Sequence, residues 1–365
     1  MSINMHIPVY KPRFSGQEKK YVDDCIDSTW ISSKGKYIPL FEEKFAEYIG
    51  CKYGVSVMNG TAALHLGLLA LNIGIGDEVL VPTFTYVASV NTIKYVNATP
   101  VFCDSKLDSW QLDPDDVERK LTDKTKAILA VHLYGHPCEM DKLRKIADEH
   151  HIYLIEDCAE AIGSEFNGKK VGSFGDVSCF SFFGNKNITT GEGGMVLTND
   201  EDIYKRAANL KTQGISYEKE YWHDRIGYNF RMTNIQAAIG IAQLAIIEKN
   251  LTDKEKVFAC YKEGLADLPI KMLDRIGNVV NTYWMCCIQV ENEEIRDALR
   301  NYLEEKGIET RPTFYVCHTF DFYRCDIHCP NAEYLSVRGI NLPSYPDLTK
   351  EEINYVINSI RSFFA

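Results

Sequence analysis

The sequence has no apolar run long enough to cross a bilayer: its most apolar stretches are broken by glycine, proline or a charge well before the roughly 20 residues that a membrane helix needs. Nor does Met1–Arg13 show the charged-then-apolar pattern of a secretory signal, being mixed and holding two prolines. Positive charge is short as well. The 40 Lys and Arg residues face 51 Asp and Glu, a net charge of −11, which argues against nucleic acid as a partner because phosphate backbones call for a concentrated cationic face. A small phosphorylated ligand is still open, since a few amides and cations suffice for one. The twelve cysteines, with no secretory signal beside them, read as reduced and mostly buried thiols, not as a disulfide framework. A cytoplasmic protein with no membrane partner is the expectation.

Paired metal knuckles are missing too. Cys317, His318, Cys325, His328 and Cys329 fall within a short span, but the Cys325-x3-Cys329 spacing is not a usual pair and no second pair accompanies it. No metal is expected, and a zinc-dependent interaction protein is kept as a rival reading.

What is present is the composition of a soluble globular protein, 45% hydrophobic and 25% charged. At 365 residues the chain is too long for one small core, so one large and one smaller domain are expected. Glu78–Pro82, Thr99–Cys103, Ala127–Leu133 and Ile152–Glu156 read as buried strands separated by helical segments such as Leu64–Leu71, the pattern of a parallel sheet covered on both faces. Ligands of such sheets sit beyond the carboxyl ends of the strands, where Asp104, His132 and Asp157 stand. Ile235 to about Lys249 reads as one long helix, after which the character changes. Tyr283–Val290 reads as a strand, and Arg296–Lys306 and Glu351–Phe364 as helices. The expected division is a large domain with an N-terminal arm over 1–245 and a small α+β domain over 246–365.

The stretch richest in chemistry runs from Gly175 to Met195. Lys186 stands between an aromatic approach and three glycines, Gly191, Gly193 and Gly194. A partly desolvated lysine has a lowered pKa and becomes a usable nucleophilic amine; a surface lysine in a glycine-rich loop is the plainer alternative. Asp157 tips the balance. A carboxylate at a strand end can keep the pyridine nitrogen of pyridoxal phosphate (PLP) protonated, although it can also simply cap the next helix. Asn59-Gly-Thr-Ala-Ala-Leu offers a turn, a hydroxyl and the first amides of a helix, an anion site or an ordinary capped start, and Ser181 adds a hydroxyl. In Thr83-Phe-Thr-Tyr86 a ring could stack on the cofactor or simply join the core.

Taken together these motifs resemble the DegT/DnrJ/EryC1/StrS family of sugar aminotransferases. The likeness runs through Trp30-Ile-Ser-Ser, Asn59-Gly-Thr-Ala-Ala-Leu, Gly76-Asp-Glu-Val, Val131-His-Leu-Tyr-Gly-His, Glu156-Asp-Cys-Ala-Glu-Ala, Ser181-Phe-Phe-Gly-Asn-Lys186, Gly191-Glu-Gly-Gly, Gly227-Tyr-Asn-Phe-Arg-Met-Thr-Asn and Arg311-Pro-Thr-Phe-Tyr. It implies an α/β fold of PLP-dependent transferase fold type I, like aspartate aminotransferase, with a mostly parallel sheet in the large domain and a small C-terminal α+β domain. It implies a nucleotide-linked 4-keto-6-deoxy sugar as substrate, GDP-linked by the look of Tyr221-Trp-His-Asp and its fellows, with UDP- or dTDP-linked sugars as alternatives, and L-glutamate as amino donor. Lys186 matches the Schiff-base lysine; members with histidine there deoxygenate sugars instead. Asp157 matches the pyridine-nitrogen partner and Tyr86 the stacking ring. Gly60, Thr61, Ala62 and Ser181 match the phosphate site, and Asn229 matches a contribution to it from the neighbouring subunit of a homodimer. Glu160 matches a position, often glutamine, facing the phenolic oxygen. Trp30, Ser32, Arg231, Tyr315 and His318 are the implied substrate-side residues, although Val316 stands where the family usually has proline. A non-catalytic cofactor-binding regulator of the same fold is the remaining rival.

Overall fold

The computed structural model describes residues 6–216 and 218–365; the first five residues of the expected N-terminal arm lie outside the described residues. At the centre is a seven-stranded sheet. In chain order the strands are β1 (Tyr53–Val57), β2 (Glu78–Pro82), β3 (Thr99–Cys103), β4 (Thr125–Val131), β5 (Tyr153–Asp157), β6 (Val177–Ser181) and β7 (Gly194–Thr198). In space the order is β1-β7-β6-β5-β4-β2-β3. β2 pairs in parallel with β3 and β4, β4 with β5, and β5 with β6, whereas β7 runs antiparallel to both of its neighbours.

The strands are apolar on both faces because both faces are covered. Side chains alternate along each strand: Val79, Val81, Ala127 and Leu129 enter one buried cluster, and Leu80, Ile128 and Ala130 the opposite one. Phe180 and Leu197 face Phe41 and Phe45, while Cys179 and Val196 face Leu64 and Leu66. Helix α1 (Gly60–Ala70) lies over β6 and β7. A Cβ at Gly67 would come within 3.0 Å of Val177 and 3.2 Å of the Cys179 sulfur, which is why this helix carries a glycine mid-length.

A second, antiparallel layer has β8 (Lys271–Met272), β9 (Cys286–Gln289), β10 (Arg311–Pro312) and β11 (Gly339–Leu342) in the order β8-β9-β11-β10. Its core gathers Phe258, Tyr261, Ile288, Leu299, Ile340, Val356 and Ile360. Ile7 of the N-terminal arm joins this core and bridges to Ile308.

Three expectations are corrected. The single helix over Ile235–Lys249 is two, α2 (Asn234–Leu244) and α3 (Ile247–Gly264), parted at Ala245–Ile246. No glycine or proline marks the break. Packing sets it: Gln243 is buried with its amide on Glu18 Oε1 at 2.7 Å, and Ile247 is buried among Phe41 and Phe45. The strand expected from Tyr283 is confined to Cys286–Gln289, because Tyr283 takes the left-handed φ of 47° and turns the chain. Asp157 is the last residue of β5, not the residue after it. Among the described residues no helix is long and apolar enough to cross a membrane.

Candidate active site

The strand register decides where the site falls. Val131 lies opposite Asp157, Asp157 opposite Cys179, Ser181 opposite Gly194, and Gly194 opposite Val57. The chain therefore leaves β1, β4, β5 and β6 along one edge of the sheet, joined there by the turn after β2. A cleft of about 430 Å³ opens at that edge, within the size range of small-molecule sites. Its walls come from Gly60 and Thr61 after β1, Tyr86 and Ser89 after β2, Asp157 and Glu160 at the end of β5, Ser181 at the end of β6, and Phe183, Asn185 and Lys186 after it. The second layer closes it with Trp284, Arg311 and Phe314.

Lys186 owes its position to three contacts. Its carbonyl accepts from the Tyr10 hydroxyl at 2.8 Å, its amide donates to Phe183 O at 2.9 Å, and the indole N–H of Trp284 holds the carbonyl of Asn185 at 2.6 Å. The Nζ lies 3.8 Å from the centre of the Trp284 ring and 3.9 Å from Glu160 Oε1. Burial lowers the pKa of this amine, while the charges of Glu160 and Asp157 pull the other way.

The two carboxylates have different surroundings. Asp157 accepts the Ser89 hydroxyl on Oδ2 at 2.8 Å and the Ala159 amide on Oδ1 at 3.1 Å. Burial raises its pKa, and those two bonds and the Lys186 charge oppose the rise. Glu160 accepts one bond, from the Tyr134 amide at 2.9 Å, and burial pushes it up to about 7 against the opposing Lys186 charge. Tyr134 adopts a left-handed φ of 56° in the turn after β4, and its ring stacks against Phe314 and Trp284.

At the other end of the cleft the side chain of Asn59 caps α1 by accepting the Ala62 amide at 2.8 Å. The first amides of a helix have no partner within it. With Ala62 engaged, Gly60 and Thr61 present theirs to the cleft beside Ser181. A Cβ on Gly60 would sit 2.7 Å from the Ser181 Cβ, so the cradle needs a glycine there. An anion cradle, an open lysine amine and a hydrogen-bonded buried carboxylate across one cleft fit PLP, and the exposed ring of Tyr86 lines the same space.

The structure thus brings together Gly60, Thr61, Tyr86, Asp157, Glu160, Ser181 and Lys186. It does not bring Ala62 to the cleft. Asn229 is exposed, with Arg231 Nε donating to its Oδ1 at 2.8 Å, and neither lines the cleft of its own chain. Trp30 and Ser32 are exposed, and their carbonyls accept from Asn234 at 2.7 Å each. Tyr315 is exposed outside the cleft. His318 is buried outside it, with Nδ1 2.7 Å from Thr83 Oγ1 and Nε2 3.3 Å from Glu333. Of the three strand-end groups only Asp157 faces the cleft. Asp104 accepts the amide of Ala332 at 2.8 Å, and His132 meets Glu156 at 3.1 Å.

Ser89 and Trp284 had no sequence signal of their own, and Phe314 stood in the Arg311-Pro-Thr-Phe-Tyr motif without a role assigned to it. Arg311 stood inside a recognised motif, and a cation there was a signal that went unused. Among the described residues, the 317–329 cluster forms no group of three His, Cys or carboxylate ligand atoms lying within 4.8 Å of one another, whereas His132, Glu156 and Cys158 form one. There the amides of Gly172, Phe174 and Gly175 already hold the Glu156 carboxylate.

The DegT/DnrJ/EryC1/StrS aminotransferase family model matches residues 12–361. The chain is 53% identical over 362 residues to a GDP-perosamine synthase of Escherichia coli O157:H7, covering 99% of each. It is 50% identical to a GDP-perosamine synthase of Vibrio cholerae, covering 98% of this chain and 99% of that one. Among solved structures, a Streptococcus pneumoniae protein described as a candidate sugar aminotransferase, in its PLP form, superposes with a TM-score of 0.93 at 29% identity, covering 98% of both chains.

Proposed function

The chain belongs to the DegT/DnrJ/EryC1/StrS aminotransferase family and is a PLP-dependent sugar aminotransferase, and from that premise we propose that it passes the amino group of L-glutamate to C4 of GDP-4-keto-6-deoxy-D-mannose, giving GDP-perosamine. The observation that carries the chemistry is the Lys186 amine, lowered in pKa and set between the Trp284 ring and Glu160 in the cleft that Asp157 lines. The nucleotide and the sugar rest on the two relatives of that name, each matched over nearly its whole length.

In this reading Lys186 anchors the cofactor, the amides of Gly60 and Thr61 and the Ser181 hydroxyl hold its phosphate, Asp157 meets its ring nitrogen, and Tyr86 covers its ring. Bound there, PLP supplies an electron sink for charge developing at the carbon that loses a proton. The protein moves and holds protons. Asp157, fixed by Ser89 and Ala159, keeps a proton on the group it faces. The Lys186 amine takes a proton from one carbon and returns it to another. Trp284 and Phe314 keep water from the amine. Ala62 is left out because its amide is already used, and His318 because both ring nitrogens are engaged outside the cleft. Asn229, Arg231, Trp30, Ser32 and Tyr315 enter from a second copy or at the outer rim, which makes the working form a homodimer. Division into domains at 245/246 and action in the cytoplasm, without nucleic acid or membrane, belong to the same reading.

The test is an amination assay with glutamate and GDP-, UDP- and dTDP-linked 4-keto-6-deoxy sugars, read by mass spectrometry. The GDP sugar should be turned over fastest. A faster rate with a UDP or dTDP sugar would overturn the choice of nucleotide. A protein that binds PLP, leaves its absorbance unchanged on adding glutamate and aminates none of the three is a regulator instead.

A further inference from the structure

Within the site, the amine and the two carboxylates form an unequal trio. Both oxygens of Asp157 are engaged, by Ser89 and Ala159. On Glu160, Oε2 is engaged by Tyr134, and Oε1 faces the Lys186 Nζ at 3.9 Å. Glu160 is 5% exposed and the Lys186 side chain 12%, so water screens the pair weakly. The amine is a compact group with rotatable donors on a flexible stem, and torsion of that stem closes 3.9 Å to hydrogen-bond length.

We propose that Glu160 is a proton reservoir for Lys186: its Oε1 takes the proton that the lysine ammonium must shed before the amine can act, and gives it back afterwards. In the forward transfer one Nζ–H bond breaks and one Oε1–H bond forms. An ion pair becomes a neutral pair, and no oxidant or reductant takes part. Burial favours the neutral pair, because each charge alone has lost its hydration. The directions agree: burial pushes Glu160 up to about 7 and Lys186 down.

The other titratable groups facing the pair do not compete for this proton. Asp157 is held by two donors. Burial raises the Tyr134 hydroxyl and the Cys287 thiol well above their ordinary values, so both stay protonated. Lys254, pushed down to about 8, has its amine tied to the carbonyls of Trp284 and Ser344. Two carboxylates three residues apart thus take different tasks because their hydrogen bonding differs, the general way in which acid and base roles are separated.

This inference rests on Lys186 being the reacting amine, and its first test needs neither cofactor nor sugar. On the full chain stripped of cofactor, acetic anhydride labelling of Lys186 is followed against pH by peptide mass spectrometry. Glu160→Gln keeps the side-chain shape and the acceptor for the Tyr134 amide but can neither take a proton nor carry charge. The labelling midpoint should fall by about one pH unit or more, since the negative partner that raises the Lys186 pKa is gone, and Glu160→Asp should restore part of the shift. An unmoved midpoint in Glu160→Gln overturns the reservoir.

The second test is the pH dependence of kcat/KM. The wild type should lose activity below about pH 7, as Glu160 takes a proton from solvent and can no longer receive the one on Lys186. Glu160→Gln should lack that limb and run roughly 100-fold slower at pH 7, the scale of one general acid–base contribution. A variant that keeps both the limb and the rate overturns the proposal. A shifted midpoint in a protein that aminates no nucleotide sugar would instead overturn the function proposed above and leave the proton pair standing.

Discussion

The hydroxyl of Ser89 donates to Oδ2 of Asp157 at 2.8 Å, and both residues are buried. Burial alone would drive a proton onto this carboxylate; the Ser89 bond, the Ala159 amide and the Lys186 charge resist it. Removing the hydroxyl with Ser89→Ala should therefore raise the Asp157 pKa further and cost roughly ten-fold in kcat, at about 1.4 kcal/mol for a charge-assisted hydrogen bond. Asp157→Asn keeps the shape and loses the charge, and should lower kcat by at least 100-fold with cofactor still bound. Steady-state rates beside the absorbance spectrum check both. Unchanged kcat in Asp157→Asn would reduce Asp157 to a local turn-former.

Gly60 makes a prediction about space. A Cβ there would sit 2.7 Å from the Ser181 Cβ, closer than carbon atoms tolerate. Gly60→Ala should push the start of α1 away from Ser181, costing about 1–3 kcal/mol as overpacking does. The loss should appear in cofactor affinity, on the order of 10- to 100-fold weaker, with little change in secondary structure. Equilibrium titration with PLP measures it. Wild-type affinity would mean that the phosphate does not lie against this turn.

How far the sequence was legible follows from where each signal lies along the chain. Glu78–Pro82 and Thr99–Cys103 read correctly to the residue because parallel strands covered on both faces are continuous apolar runs. Lys186, Asp157 and the Gly60–Thr61 turn were visible because each carries its chemistry in a few adjacent residues. Trp284 was not. It reaches Lys186 because Tyr283 turns the chain with a positive φ, and nothing in Asn281-Thr-Tyr-Trp284 announces that. Ser89 and Tyr10 escaped for the same reason: their partners, Asp157 and Lys186, are distant in sequence. Even the break between α2 and α3 is a tertiary event, fixed by buried Gln243 and Ile247.

Glu160 also ties stability to pH. Its folded pKa of about 7 stands above the ordinary value of 4.5. Such a group stabilises the fold fully below pH 4.5, and that contribution is lost as pH rises through about 7. Lys186, lowered in the fold, acts in the opposite sense, so the effect is read as a difference from Glu160→Gln. In cofactor-free protein the melting temperature of Glu160→Gln should exceed that of the wild type by an amount growing from pH 5 to pH 8, reaching roughly 2 °C or more. Parallel melting curves across that window would show Glu160 ionising at an ordinary pH.

Asn229 and Arg231 are joined to each other at 2.8 Å and reach no part of their own chain's cleft. They lie just before α2, whose first turn is tied to Trp30 and Ser32 through Asn234. Exposed Trp30, Ile31, Tyr221, Trp222 and Ile226 stand in the two segments that flank this point. If this face meets its twofold copy, each subunit lends Asn229 to the other's phosphate cradle, as an isologous interface requires. Lys186→Ala would then disable a subunit's own site, and Asn229→Ala the site of its partner. Each homodimer should be nearly inactive: Lys186→Ala lacks the amine, and Asn229→Ala loses most of its cofactor affinity. Co-expression places both lesions in one site of the heterodimer and leaves the other intact. Random pairing makes about half of the dimers mixed, each with one good site, so activity should recover to roughly a quarter of the wild type under this isologous arrangement. Tagging the two variants differently and purifying through both tags should raise that to about half. No recovery in doubly purified heterodimers, with Asn229→Ala inactive alone, would place Asn229 at its own subunit's site and end the shared-site model.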